Sequence, residues 1–152
     1  MVEAMEIPKM FKKTEVGLIP SDWEIKNLEN IGGFKKGRNI PKNALQNDGV
    51  PCILYGEIYT KYNIHSSELI SRISIEIAKD ATEVRYGDIR FAGSGETAED
   101  IGKCFTYTGR MKAFAGGDVI ILSPKDADQL FLGFILNSEV VIRQKSFMGQ
   151  GS

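Results

Sequence analysis

Histidine, cysteine and tryptophan are scarce in this 152-residue chain, which has one His, two Cys and one Trp. The single histidine, His65 in the polar stretch "YNIHSSE", would have to serve any Ser-His or Cys-His nucleophile pair; it reads more simply as a loop residue. Cys52 and Cys104 are too few for a disulfide scaffold and stand at no zinc-like spacing, so both read as reduced thiols. No apolar run approaches the ~18 residues of a membrane helix, and "MVEAMEIPKMFKK" lacks the apolar core of a secretory signal. A cytoplasmic protein with no membrane partner is expected. What is present is ordinary for a globular chain, 42% apolar and 26% charged, and its length suits one domain with a sizeable core rather than two.

Acidic residues are missing from particular stretches. From Asn30 to Asn47 there are four cations (Lys35, Lys36, Arg38 and Lys42) and no acid. Gly102 to Gly117 carries Lys103, Arg110 and Lys112, again without an acid, and the tail from Val140 has only Arg143 and Lys145. Phosphate binding depends on local patches, so the net charge of −1 does not exclude nucleic acid.

Turn residues divide the chain into short elements. "GLIPSDWEIKNLENI" reads as an extended approach and a helical turn, with Trp23, Ile25, Leu28 and Ile31 expected to bury. "GGFKKGRNIPK" reads as a strand running into a basic, glycine-containing loop, and "VPCILYGEIY" as another strand. Ser74 is placed to cap a short helix through Lys79, with Ile75, Ile77 and Ala78 sharing a buried face. Gly87-Asp88 marks a turn before a strand over Ile89 to Ala92, and "KCFTYTG" and "DVIILSP" supply further strands. "DADQLFLGFILNS" is the best helix, with Leu130, Phe134 and Asn137 along one side. A second helix over about Glu139 to Lys145 follows a Ser138 cap. The expected fold is a single α/β (α+β) domain, a mixed sheet with helices packed late in the chain.

Catalytic motifs are weak. "FAGSG" resembles the cofactor turn of S-adenosylmethionine-dependent amino-methyltransferases, but such a turn should open a long helix. Here Cys104 and a β-rich run follow instead, and the second motif of that family, with adjacent prolines, is absent. Glu96 and Glu99 could pair for acid/base chemistry but read more simply as loop acids. No metal constellation is visible.

A binding surface explains more of the chain. "KKGR" puts charge on a flexible backbone suited to phosphates. "YGEIYTKYN" interleaves Tyr55, Tyr59 and Tyr62 with Glu57, Lys61 and Asn63, side chains able to reach base edges. For Tyr55 and Tyr59, half-buried sheet positions are an equal alternative. "GRMKAFAGG" adds a basic turn and two glycines that permit close backbone approach.

In order along the chain, "KKTEVGLIPSDWEIKNLENI", "KKGRNIPK", "GVPCILYGEIYTKYN", "YGDIRFAGSGETAEDIGKC" and "AGGDVIIL" resemble target-recognition domains in the specificity subunits of type I restriction-modification systems. Ile19, Pro20, Trp23 and Glu24 form the most specific part, and the resemblance runs from about Lys12 to Ser152. It implies a non-catalytic module that reads one half of a bipartite target in double-stranded DNA. It also implies partners: modification subunits, which bind S-adenosylmethionine and methylate adenine, and indirectly the restriction subunits, which use ATP and magnesium. No cofactor is implied in this chain itself.

The site residues come from their chemistry. Lys35, Lys36, Arg38 and Lys112 are assigned to phosphates. Tyr55, Glu57, Tyr59, Lys61, Ser94, Glu96, Thr97, Arg110 and Gln150 are assigned to bases, Ser94 and Gln150 being the weaker candidates. The expected organisation is an N-terminal extension over 1–13 and a recognition domain over 14–152. That domain is C-terminally incomplete, because the glycine-rich "FMGQGS" should lead onward and the spacer helix of the family is missing. Two alternatives stay open: an interaction module that forms a homodimer or binds the modification subunit without reading DNA, and, more remotely, a methyltransferase fragment.

Overall fold

Short strands need partners from distant parts of the chain, and the computed structural model shows where they find them. It describes residues 9–93 and 102–149. β1 (Phe11–Thr14) and β2 (Gly17–Pro20) form a hairpin, so the expected extension over 1–13 runs into a paired strand. After a 3₁₀ turn over Leu28–Asn30 come β3 (Gly32–Lys36), β4 (Val50–Ile53), α1 (Tyr55–Thr60), β5 (His65–Ser66) and β6 (Ser71–Ile73). The order continues with α2 (Ile75–Ala78), β7 (Thr82–Val84), β8 (Ile89–Ala92), β9 (Cys104–Tyr107), β10 (Ala113–Ala115) and β11 (Val119–Pro124). Two helices close the described chain, α3 (Gln129–Ile135) and α4 (Glu139–Gly149). This is the mixed α/β architecture with late helices that the sequence predicts.

Besides the hairpin there are two sheets, β6-β4-β10-β7 and β3-β11-β8-β9-β5. Each holds one parallel pair, β4 with β10 and β5 with β9, among antiparallel neighbours. Both sheets contribute to one core, where Ile53, Val84, Ala113 and Ala115 meet Phe105, Tyr107, Val119 and Ile121. The far face of the five-stranded sheet packs Ile89, Phe91, Cys104 and Leu122 against Leu132 of α3 and Leu136 at its C-terminal end. A third cluster, Ile40, Cys52, Ile73 and Ala78, covers the four-stranded sheet under α2. Truncating a buried ring such as Phe105 to alanine would cost about 3–5 kcal/mol.

Register decides which way side chains point. Lys36, Ile120, Phe91 and Cys104 form one row across β3, β11, β8 and β9, and Lys35, Ile121, Arg90 and Phe105 form the next. Adjacent strand residues face opposite sides. The first row therefore looks toward α3 and the second toward the core shared by the two sheets.

Several local expectations are corrected. Residues Tyr55–Thr60 are helical rather than a continuation of β4. Trp23 and Ile25 are exposed; the Trp23 ring packs edge-on to Phe131 at 5.4 Å, and only Leu28 and Ile31 reach the core. Ser74 does cap α2, accepting from the Ile77 amide at 3.3 Å, but Ile75 points outward. On α3, Leu130 and Phe134 are exposed, while Leu132, Gly133 and Leu136 face the sheet. The Asp128 side chain, accepting from the Phe131 amide at 2.7 Å, fixes where that helix starts and hence which face turns inward. Asn137 does face inward, bonding the backbone of Cys104 on both sides. The Ser138 hydroxyl is buried without a hydrogen-bond partner among the described residues, so it does not cap α4.

Gly133 is required by packing: a Cβ there would lie 2.6 Å from Thr106 Oγ1 and 3.0 Å from the Ile64 carbonyl oxygen. The missing side chain lets α3 close on β9.

Candidate nucleic-acid interface

β3 and β7 are edge strands of different sheets, and they lie side by side. Thr82 Oγ1 donates to the Lys36 carbonyl at 2.8 Å, and Lys35 Nζ donates to the Glu83 carbonyl at 2.6 Å. Lys35 can make this bond because its row faces the inter-sheet side; Lys36 faces the other way, with Phe34 and Ile120. The two lysines, adjacent in sequence, are thus split between the faces of β3.

Glu83 gathers cations from three segments. Arg85 Nε meets one carboxylate oxygen at 2.8 Å, Lys112 Nζ meets the other at 3.9 Å, and Lys35 holds the carbonyl. The hydrogen bond from Arg85 is the largest of the influences that hold the Glu83 carboxyl below its usual range, with the charges of Lys112, Arg85 and Lys35 adding to it and partial burial opposing. Arg85 was not anticipated from sequence. Its signal is the Glu-Val-Arg spacing, which puts residues 83 and 85 on one face of an extended chain.

Two turns hold these cations in place. The Asp88 carboxylate accepts from the Arg85 amide at 2.9 Å, and the Gly87 amide donates to the Tyr107 carbonyl at 2.7 Å. The Tyr107 hydroxyl donates to the Met111 carbonyl at 2.7 Å, fixing the turn that carries Arg110 and Lys112. Both of those side chains are exposed.

The opposite end of β7 carries a second group. The Arg38 amide donates to the Ala115 carbonyl at 3.3 Å, and the Gly37 amide to that of Val119 at 2.8 Å. A Cβ at Gly37 would sit 1.8 Å from the Gly116 carbonyl oxygen, so only glycine lets the basic loop lie against β10. Arg38 is exposed there, and Gly93, the last described residue before 102, donates its amide to the Asp118 carbonyl beside it. β7 spans three residues, on the order of 10 Å of strand. Arg38, Lys35, Arg85 and Lys112 therefore follow one short edge.

The other predicted residues that fall among the described ones lie on or near α1. Tyr55 opens the helix and is exposed, and Lys61 ends it, also exposed. Glu57 is engaged inside the fold: its carboxylate accepts from the Leu54 amide at 2.9 Å and from Ser71 Oγ at 2.6 Å, pinning the helix start to β6. Tyr59 is half-buried against the inter-sheet core, and its carbonyl accepts from Lys103 Nζ at 3.3 Å. Tyr62, just beyond the helix, stacks on Phe105 at 4.6 Å. Ser94, Glu96, Thr97 and Gln150 lie outside the described residues, as does Glu99.

Nucleophilic chemistry gets little support from the groups that could supply it. Burial pushes the Cys52 thiol up to about 12 and the Cys104 thiol up to about 11, so neither is a thiolate at neutral pH. Both are free, as expected. His65 is exposed, pairing through β5 at the sheet edge. Among the described residues no cluster of His, Cys, Asp or Glu could hold a metal, and no helix is long and apolar enough to cross a membrane. A cleft of about 430 Å³ opens between Ile64, Lys103 and Asn137, but the Asn137 amide is already engaged with Cys104 and Gly133.

The fold and this edge define a mixed α/β module whose chemistry is that of a cationic surface. No family model matches the chain. Over 92 residues it is 29% identical to a putative type I restriction enzyme MjaX specificity subunit of Methanocaldococcus jannaschii, covering 55% of this chain and 22% of that protein. Over 45 residues it is 36% identical to the MjaVIII specificity subunit of the same organism, covering 30% of this chain and 11% of that protein. The crystal structure of the HsdS subunit from Thermoanaerobacter tengcongensis shares its fold with a TM-score of 0.60 at 17% identity, over 93% of this chain and 33% of that one. A chain from a structure of type I R-M complex assembly and conformational transition matches with a TM-score of 0.53 at 15% identity, over 78% and 28%. The resemblance to type I specificity subunits is thus found in sequence and again in fold. The chain spans about a fifth of the first of these relatives and about a third of the HsdS chain.

Proposed function

We propose that this chain is the DNA-reading module of a type I specificity subunit, recognising one half of a bipartite target in duplex DNA. The observation that carries the reading is the edge along β7, where Lys35, Arg85 and Lys112 from three segments meet at Glu83. Lys35, Lys36, Arg38 and Lys112 serve the phosphates, with Arg85 added. Tyr55, Lys61 and Arg110 are exposed and can face bases; Ser94, Glu96, Thr97 and Gln150 keep that assignment from their chemistry. Glu57 and Tyr59 act mainly in positioning α1.

In this reading the recognition domain is residues 14–152, it performs no catalytic step, and it works in the cytoplasm. Modification subunits supply adenine methylation and restriction subunits join through them, so S-adenosylmethionine, ATP and magnesium belong to the partners. The exposed apolar side chains Trp23, Phe131 and Phe134 favour a companion role in subunit contact, which co-purification with a modification subunit would test.

The deciding experiment is a fluorescence titration of the chain against random-sequence duplex at low and near-physiological salt. Salt-sensitive binding is expected, and the Lys36→Ala/Arg38→Ala variant should flatten the slope of log affinity against log salt by roughly 0.9 for each phosphate it no longer neutralises. An unchanged slope would remove those two residues from the interface. No binding at low salt would overturn the reading for this chain.

A further inference from the structure

Glu83 sits where the proposed phosphate contacts converge, and an acid there is unexpected for a surface that binds a polyanion. Its carboxylate is the group that Arg85 and Lys112 now share, and its backbone carbonyl holds Lys35. The side chain is about one-third exposed, so solvent and ligands can reach it. A carboxylate and a phosphodiester offer the same thing to a guanidinium, two anionic oxygens at a spacing the fork can grip.

We propose that Lys35, Arg85 and Lys112 form a phosphate clamp in which the Glu83 carboxylate stands in for a backbone phosphate until one displaces it. The proposal rests on the duplex-DNA reading and deepens it by assigning a phosphate-binding site, with a residue that sets how readily non-target DNA is held. In the free protein Glu83 keeps the cations oriented and partly neutralised. A phosphate entering the clamp must compete with it, which lowers affinity for every sequence alike. Only a target making additional base contacts then binds firmly, so Glu83 trades general affinity for discrimination. The two turns beneath the clamp, fixed by Asp88 and Tyr107, keep Arg85 and Lys112 in place when the carboxylate is displaced.

The test titrates the whole chain and three variants, E83Q, R85A and E76Q, against random-sequence duplex over a range of salt. E83Q removes the competing charge and keeps the shape. E76Q removes one charge from the exposed Glu76 on α2 and controls for net charge. E83Q should bind about threefold more tightly near 0.1 M salt, with a slope steeper by about one unit, and R85A should bind about threefold less tightly with a flatter slope. E76Q should shift neither slope.

If E83Q weakens binding as R85A does, Glu83 only positions the cations and the stand-in role is overturned. If E76Q matches E83Q, or R85A leaves the slope unchanged, the clamp is overturned while the DNA reading stands. If the unsubstituted chain shows no salt-sensitive binding, the DNA reading itself fails and the clamp with it.

Discussion

The guanidinium of Arg90 lies 4.5 Å from the centroid of the Tyr107 ring, fully buried, and none of its three nitrogens has a hydrogen-bond partner among the described residues. The Phe105 ring lies near it at 5.2 Å. Burial pushes its pKa down to about 10, against the opposing charge of Asp88, which still leaves it protonated at neutral pH. Contact with aromatic faces returns about 2 kcal/mol when desolvated, less than the several kcal/mol that removing an ion from water costs.

Replacing Arg90 by a neutral side chain of similar length should therefore help. R90M is expected to leave stability unchanged or raise it by about 1–4 kcal/mol, whereas R90A should lose about 2–5 kcal/mol through the cavity it opens. Urea unfolding of the two variants separates charge from volume. A loss above about 2 kcal/mol in R90M would show that the buried charge is compensated after all.

Glycine positions give a second prediction. A Cβ at Gly37 would meet the Gly116 carbonyl oxygen at 1.8 Å, while one at Gly33, four residues earlier within β3, would meet nothing within 4 Å. G37A should destabilise by about 1–3 kcal/mol or more, the cost of forced overpacking, and should disturb Arg38 beside it. G33A is expected to stay near neutral in the same unfolding measurement.

The thiols provide a probe of how the layers open. With burial holding Cys104 up at about 11 and Cys52 at about 12, each should react with a disulfide reagent at pH 8 at least about a hundredfold more slowly than free cysteine, because the thiolate is the nucleophile. Both should titrate once urea unfolds the chain. Cys104 lies under α3 and Cys52 under α2, so different labelling rates would report the separate stabilities of those two layers.

How much of this was legible in the sequence differs by type of information. Strands bounded by glycine, aspartate and proline were readable, as at Gly87-Asp88 before β8 and in "DVIILSP", because turn chemistry is local. The stretch beginning at Tyr55 reads as strand on composition, although Tyr55, Ile58, Tyr59 and Tyr62 carry helical spacing; its tyrosines point to base reading and mask that period. Which face of α3 turns inward depends on Asp128 and on the gap left by Gly133, neither of which apolar spacing reveals. Hydrophobicity alone places Trp23 and Ile25 inside, yet both are exposed, and Trp23 meets the Phe131 ring edge-on. The basic segments were legible as segments. Their meeting place was not, because β3 and β7 become neighbours only through the pairing of two separate sheets, and Arg85 gains significance only from that meeting.

Acid should expose the electrostatics of Glu83 directly. Its carboxyl is held below its ordinary value of 4.5, first by the hydrogen bond from Arg85. A group whose folded pKa is depressed contributes stability that is fully present above the unfolded value and is lost as pH falls through the folded one. The wild-type chain should therefore exceed E83Q in stability at neutral pH by a small margin, as befits a largely solvated pair. That margin should vanish below the carboxylate range, where Glu83 is protonated and releases Arg85. Thermal melts of both proteins from pH 7 downward measure it, with salt raised in parallel to screen the pair. If the two melting curves stay offset by the same amount in acid, the ionised Glu83 carboxylate and its Arg85 contact contribute nothing to stability.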